Sequence, residues 1–167
     1  AAWGCTLPAE PGMVLTDMFH SMEEEIVKVA YIIGENPVLS DPDARHIKEA
    51  LSKLEFLVVQ DIFLTETAQF AHVVLPGASF AEKDGTFTNT ERRVQRVRRA
   101  VATVGTSRPD WQIVCEIARR MRSKGFEFAS AADIMKEIAD VTPSYGGITY
   151  ARLENGSLQW PCPTEDH

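Results

Sequence analysis

Val29-Ala30-Tyr31-Ile32-Ile33-Gly34-Glu35-Asn36-Pro37 is the stretch on which the fold turns. Five apolar residues run on without polar alternation, stop at a glycine and give way to a turn dipeptide. A strand with one face in water alternates apolar and polar side chains, whereas a strand covered on both faces reads as a continuous apolar run. The same grammar recurs at Phe56-Leu57-Val58-Val59-Gln60, ended by Asp61, and at His72-Val73-Val74-Leu75, ended by Pro76-Gly77. Between the first two runs, Asp41 is expected as an N-cap with Pro42 in the first turn. Ile47, Ala50, Leu51 and Leu54 then repeat at helical spacing. A short segment from Thr65 to Phe70 has helical potential. Strand, helix, strand, short helix, strand predicts parallel pairing with right-handed crossovers. The expected fold is therefore α/β, a Rossmann-like three-layer parallel sheet flanked by helices, with additional C-terminal helices.

Working outward, Thr16 is expected to cap a helix that shares Phe19, Met22 and Ile26 on one face, with Glu23, Glu24 and Glu25 mostly in solvent. Downstream, Pro109 opens a helix expected to turn Trp111, Val114, Ile117, Ala118 and Met121 inward. Arg119, Arg120 and Arg122 lie near its end and Gly125 stops it. A last helix is predicted from a Ser130 cap through Ile134, Met135 and Ile138 to the break at Thr142-Pro143. Irregular structure is expected around Gly146-Gly147 and Trp160-Pro161-Cys162-Pro163.

The 167 residues are 44% hydrophobic, enough for a real core, and carry a formal net charge of -7. That charge repels polyanions, so no nucleic acid is expected as a partner. No apolar run approaches the roughly 18 residues of a membrane span, so no membrane insertion is expected. Residues 1–12 do not read as a signal peptide. Cys5, Cys115 and Cys162 are scattered and odd in number, offering neither a disulfide framework nor the spacing of a zinc or iron–sulfur site. A reducing, cytoplasmic setting is the simpler expectation.

In open parallel sheets, ligands bind beyond the carboxyl ends of the strands, where helix N-termini and loop amides converge. Three loops meet that description: Gly34-Glu35-Asn36-Pro37, Gln60-Asp61-Ile62-Phe63 and Pro76-Gly77-Ala78-Ser79. Gly34 lets backbone approach a ligand, and the Asn36 amide both donates and accepts. The Asp61 carboxylate suits either the adjacent hydroxyls of a ribose or the paired N–H donors of a guanine edge. Each has a plainer reading beside it, as a turn glycine, a turn dipeptide and a loop cap. Neither GxGxxG nor GxxxxGK[ST] follows the first strand, so a ligand here needs its phosphates held by another part of the protein.

Arg92, Arg93, Arg96, Arg98 and Arg99 fall within eight positions of an otherwise acidic chain. They read either as a solvated strand or rim, or as a clamp for phosphates or carboxylates of another domain. His20, His46, His72 and His167 show no ligand spacing to one another or to the cysteines, and read as surface or satisfied core residues. The methionines read mostly as core filler.

Taken in order, Tyr31-Ile-Ile-Gly-Glu-Asn-Pro37, Val58-Val-Gln-Asp-Ile-Phe63 with Thr65-Glu-Thr67, Val73-Val-Leu-Pro76 and Glu82-Lys-Asp-Gly-Thr-Phe-Thr-Asn-Thr-Glu-Arg-Arg-Val-Gln95 resemble consecutive motifs of the molybdopterin oxidoreductase catalytic subunit. Thr90-Glu-Arg-Arg93, Pro109-Asp-Trp111, Tyr145-Gly-Gly-Ile148 and Gln159-Trp-Pro-Cys-Pro163 look most like the formate dehydrogenase type.

The resemblance implies a fragment of an enzyme that oxidises formate to carbon dioxide. Such an enzyme holds a bis-molybdopterin guanine dinucleotide with molybdenum or tungsten, and an iron–sulfur cluster. It further implies a guanine-dinucleotide-binding α/β domain over residues 1–108, and packing helices with an irregular segment over residues 109–167. Carried over by motif, Gly34, Glu35, Asn36, Ser40, Gln60, Asp61, Thr65 and Glu82 are the cofactor contacts. The implied partners are the remaining domains of the catalytic subunit and electron-transfer subunits. His72 stands where the family pattern usually has Asp. The family's cysteine cluster, its Cys or selenocysteine metal ligand with the neighbouring His and Arg, and its C-terminal cofactor domain are not in this sequence. No catalytic or metal residue is therefore assigned, and the fragment alone is expected to hold no cofactor and to be inactive. A scaffold domain of a respiratory NADH dehydrogenase large subunit and a stand-alone nucleotide-binding module remain alternatives.

Overall fold

The computed structural model describes residues 3–4 and 6–166, which form two compact units. One holds the described residues up to Gly77 together with Gly105–Asp110. The other holds Ala78–Val104 and the described residues from Trp111 onward, with Trp3 and Gly4.

The first unit is the parallel sheet that the apolar runs predict. Strands β1 (Val29–Ile33), β2 (Phe56–Asp61) and β3 (Val73–Pro76) lie in the order β1-β2-β3, all parallel. Ile33 is in register with Gln60, and Asp61 with Pro76. Helix α1 (Leu15–Glu23), the single-turn α2 (Pro37–Ser40) and α3 (Ala44–Ser52) flank it. Phe19 and Met22 of α1, Ile47, Ala50 and Leu51 of α3, and Leu57 and Val59 of β2 form one buried cluster. Helical spacing puts each set on a single face, and burying those faces provides the main driving force for this unit.

Three expectations shift here. Asp43, not Asp41, caps α3: its Oδ1 accepts the His46 amide at 3.1 Å, while Asp41 Oδ1 accepts the Asp43 amide and shapes the turn before it. Helix α1 starts at Leu15 with Val14 as its uncapped flank, so Thr16 lies inside it, and Ile26 falls beyond its end and is exposed. Strand β1 is covered on one face only. Val29, Tyr31 and Ile33 stay exposed, and with Met13, Leu15 and Met18 they line an apolar groove of about 490 Å³.

The second unit is built on an antiparallel sheet, β4 (Gly85–Thr88), β5 (Arg93–Val97) and the short β6 (Leu158–Gln159). In the β4–β5 turn, Asn89 Oδ1 accepts the amides of Glu91 and Arg93, each at 3.0 Å. Val94, Met135 of α5 (Ala131–Val141), Ile148, Leu153 of α6 (Tyr150–Leu153) and Cys162 form its core. Ser130 caps α5 as predicted, its Oγ accepting the Asp133 amide. The Gly146-Gly147 pair seats the chain end: the Gly147 amide donates to Cys162 O at 2.7 Å, and a Cβ at Gly147 would overlap the Thr164 carbonyl. Helix α4 (Asp110–Arg120) buries Ile113 and Ala118, whereas Met121, expected inward, is 77% exposed beyond its end.

Candidate functional site

Because β1, β2 and β3 run parallel and in register, the residues that follow them share one edge of the sheet. Gly34, Asp61 and Gly77 stand there in succession. The Gly34 amide donates to Gln60 O at 2.9 Å and the Gly77 amide to Asp61 O at 3.0 Å, tying each loop to the neighbouring strand. Gly34 has φ +65°, a left-handed conformation in which a side chain is strained, and open space surrounds the position a Cβ would take.

Gln60 is fully buried within this edge. Its Oε1 accepts the Tyr31 hydroxyl, and its Nε2 donates to Asp110 Oδ1 at 2.7 Å. Burial, and secondarily the Asp110 carboxylate, push the Tyr31 hydroxyl above its ordinary pKa. Asp110 arrives by a return of the chain: Gly105–Asp110 comes back to this unit, Arg108 bridges to Gly77 in parallel fashion, and its amide donates to Pro76 O at 3.1 Å. A Cβ at Gly77 would sit 3.0 Å from Asp110 Oδ1, so glycine there makes room for that carboxylate. Reading the strand ends alone misses Tyr31 and Asp110. Pro109-Asp110-Trp111 did stand out as a motif, but nothing local in it says that Asp110 reaches Gln60.

The other sequence-derived positions divide by how their polar atoms are used. Asp61 Oδ1 accepts the Phe63 amide at 3.2 Å, shaping a loop whose Ile62, Phe63 and Leu64 are exposed apolar side chains. The Asn36 side chain is engaged within the protein: Nδ2 donates to Glu66 at 2.7 Å, and Oδ1 accepts from the Thr67 amide and hydroxyl. Thr65 Oγ1 accepts the Ala68 amide, while Glu35 and Ser40 are exposed. Glu82, in the second unit, is buried in a capping box. One oxygen accepts the Ser79 amide at 2.7 Å and the other the Val104 amide at 2.6 Å, and these bonds hold its carboxyl below the ordinary range.

Three of the five arginines in the run pair with carboxylates of the second unit. Arg96 stacks over Tyr150 at 3.9 Å and pairs with Glu154 at 3.0 Å and Asp84 at 3.7 Å; Arg98 also pairs with Glu154. Arg92 lies over Trp160, Arg93 pairs with Glu91, and Arg99 donates to Val101 O.

The first unit belongs to the class of open parallel α/β sheets, in which ligands bind beyond the carboxyl ends of the strands. Residues 4–120 match the family model of molybdopterin oxidoreductases, and the chain belongs to that family. It is 51% identical, over 98% of its length, to F420-dependent formate dehydrogenase 1 subunit alpha of Methanococcus maripaludis, covering 24% of that protein. It is 49% identical, over 99% of its length, to F420-dependent formate dehydrogenase subunit alpha of Methanocaldococcus jannaschii, again covering 24%. It is also 48% identical, over 95% of its length, to probable oxidoreductase YjgC of Bacillus subtilis, covering 16%. The chain thus spans about a quarter or less of these relatives' length. Its fold superposes on acetylene hydratase from Pelobacter acetylenicus with a TM-score of 0.68 and 21% identity, over 87% of this chain and 20% of that one.

The family is named for a molybdopterin cofactor, and the edge fits part of a large one. Open backbone at Gly34 and the Asp61 carboxylate offer close approach and an acceptor, and the exposed Ile62-Phe63-Leu64 offers apolar cover. Among the described residues, no helix is long and apolar enough to cross a membrane.

Proposed function

We propose that this chain is the part of a formate dehydrogenase catalytic subunit that holds one guanine dinucleotide of a bis-molybdopterin guanine dinucleotide cofactor. The whole enzyme, in this reading, carries molybdenum or tungsten and an iron–sulfur cluster, and passes electrons from formate to partner subunits in the cytoplasm. The observation that carries the reading is the convergence of Gly34, Asp61 and Gly77 on the carboxyl edge of three parallel strands. Relatives named as formate dehydrogenases favour it over a scaffold domain or a stand-alone module.

The bound group supplies the redox-active metal; the residues of this chain bind and orient. Gly34 and Glu35 present backbone to the ligand, Asp61 accepts from guanine or ribose, and Ser40 and Thr65 offer hydroxyls at the rim. Gln60 and Asn36 act mainly by holding these loops through the bonds described above. Glu82 fixes the turn that follows β3. Residues 1–108 carry the binding role, and residues 109–167 supply packing helices and the irregular C-terminal segment.

The test is to purify the full-length protein, analyse its metal, release pterin and guanine nucleotide by acid, and assay formate with a viologen dye. Pterin, guanine nucleotide and formate-dependent dye reduction together are expected. A metal-loaded, pterin-containing protein that is inert to formate would refute the activity, and one without pterin would refute the cofactor.

A further inference from the structure

Packing of α1 against α3 brings together three side chains that lie far apart in sequence. His20 and Glu23 are three residues apart on α1 and so share a face. His46 lies in the first turn of α3, where its amide is fixed by the Asp43 cap. Each ligand-bearing residue is next to, or one turn from, a core residue: Phe19 and Met22 on one helix, Ile47 on the other. The buried cluster therefore sets the separation of the three polar groups.

Glu23 Oε2 lies 3.0 Å from His46 Nε2 and 3.7 Å from His20 Nδ1. The two imidazole rings are 4.8 Å apart and tilted by 45°. One ligand atom from each residue falls within 4.8 Å of the others. A tetrahedral ion with bonds of about 2.0–2.2 Å needs neighbouring ligand atoms roughly 3.3–3.6 Å apart, and the two contacts to Glu23, at 3.0 and 3.7 Å, lie on either side of that range. His46 Nε2 is itself buried and makes no hydrogen bond, although Glu23 Oε2 lies 3.0 Å away. A buried ring nitrogen without a hydrogen bond is uncommon. Coordination to an ion between the three groups satisfies it. Asp41, Asp43 and Glu49 line the adjacent depression with His20 and His46, accompanied by Arg45.

We propose that His20, Glu23 and His46 form a three-ligand site for a divalent transition metal of the Zn²⁺ class, with solvent completing the coordination. Two imidazoles and one carboxylate are a borderline donor set, suited to Zn²⁺ and its neighbours and poorly suited to Mg²⁺ or Ca²⁺. The ion joins α1 to α3 through side chains other than those assigned to the cofactor. The site is independent of the cofactor reading.

The test is titration calorimetry of the intact, chelator-washed protein with ZnCl₂, with bound zinc counted by mass spectrometry after gel filtration. MgCl₂ serves as the control ion. One equivalent of zinc per wild-type protein and no magnesium uptake are expected. Affinity should fall at least about tenfold in both His20→Ala and His46→Ala, since even changes outside the ligand shell cost that much, and should be unchanged in His72→Ala. His20 is largely exposed, so its variant tests the site without disturbing the core. Absence of stoichiometric zinc in wild type, or full affinity retained by either ligand variant, would overturn the assignment.

Discussion

Replacing Gln60 by Leu keeps the volume of a fully buried side chain and removes both of its hydrogen bonds. The bond between neutral partners, Tyr31 to Gln60, is worth about 0.5–1.5 kcal/mol net, and the bond to the Asp110 carboxylate about 1.5–3 kcal/mol. Gln60→Leu should therefore destabilise the parallel-sheet unit by about 2–4 kcal/mol, while Tyr31→Phe should cost only about 1 kcal/mol. With a urea m-value near 2 kcal/mol/M, the Gln60→Leu midpoint moves down by about 1–2 M, well beyond error. Gln60→Glu separates polar pairing from packing, because it sets a second carboxyl group against Asp110. Two carboxylates at hydrogen-bond distance share a proton, so the introduced group has a raised folded pKa. Its penalty is full at high pH and shrinks as pH falls through that raised value, since the folded form then takes up the proton. Urea unfolding by circular dichroism at pH 8 and pH 5.5 reads both effects. A Gln60→Leu protein as stable as wild type, or a Gln60→Glu penalty indifferent to pH, would show that Gln60 does not depend on Tyr31 and Asp110.

In the full-length protein, Asp61→Asn replaces an acceptor oxygen by a donor. At about 1.5–3 kcal/mol per charge-assisted bond, it should lower pterin content and activity together with little effect on folding. Asp43→Asn keeps a capping acceptor and should do neither; full pterin in the Asp61 variant returns that residue to a loop cap. Glu82→Gln should be destabilising at neutral pH. The Glu82 carboxyl is held below the ordinary 4.5 by the Ser79 and Val104 amides, so its contribution is complete above 4.5 and disappears as pH falls through the lower folded value. Melting temperatures of wild type and variant should converge in acid, and a constant gap would contradict this. The 167-residue chain alone should not reduce a viologen dye with formate, and turnover above blank would overturn the assignment of catalysis to other parts of the enzyme.

What was legible in the sequence was what is local. The apolar runs ending at Gly34, Asp61 and Gly77 announced three strands and their carboxyl edge, because strand burial and turn chemistry are both written within a few residues. Cap position was harder: Asp41 and Asp43 are equally plausible side chains, and only the turn geometry selects the second. The antiparallel sheet was hidden behind charge. In β5 only Val94 is fully buried, and Arg96 turns inward over Tyr150, a partner 54 residues on. Asp110 beside Gln60, and His46 beside His20 and Glu23, are likewise products of chain return and helix packing, which leave no spacing to count.

The one-sided cover of β1 bears on how this segment must be handled. Among the described residues β1 pairs only with β2, and its Val-Ala-Tyr-Ile-Ile sequence contains neither proline nor charge to discourage a second strand from docking. Natural proteins usually blunt such an edge. An unpaired apolar strand edge of this kind is a template on which another chain can pair. Handling it at low concentration is the practical corollary.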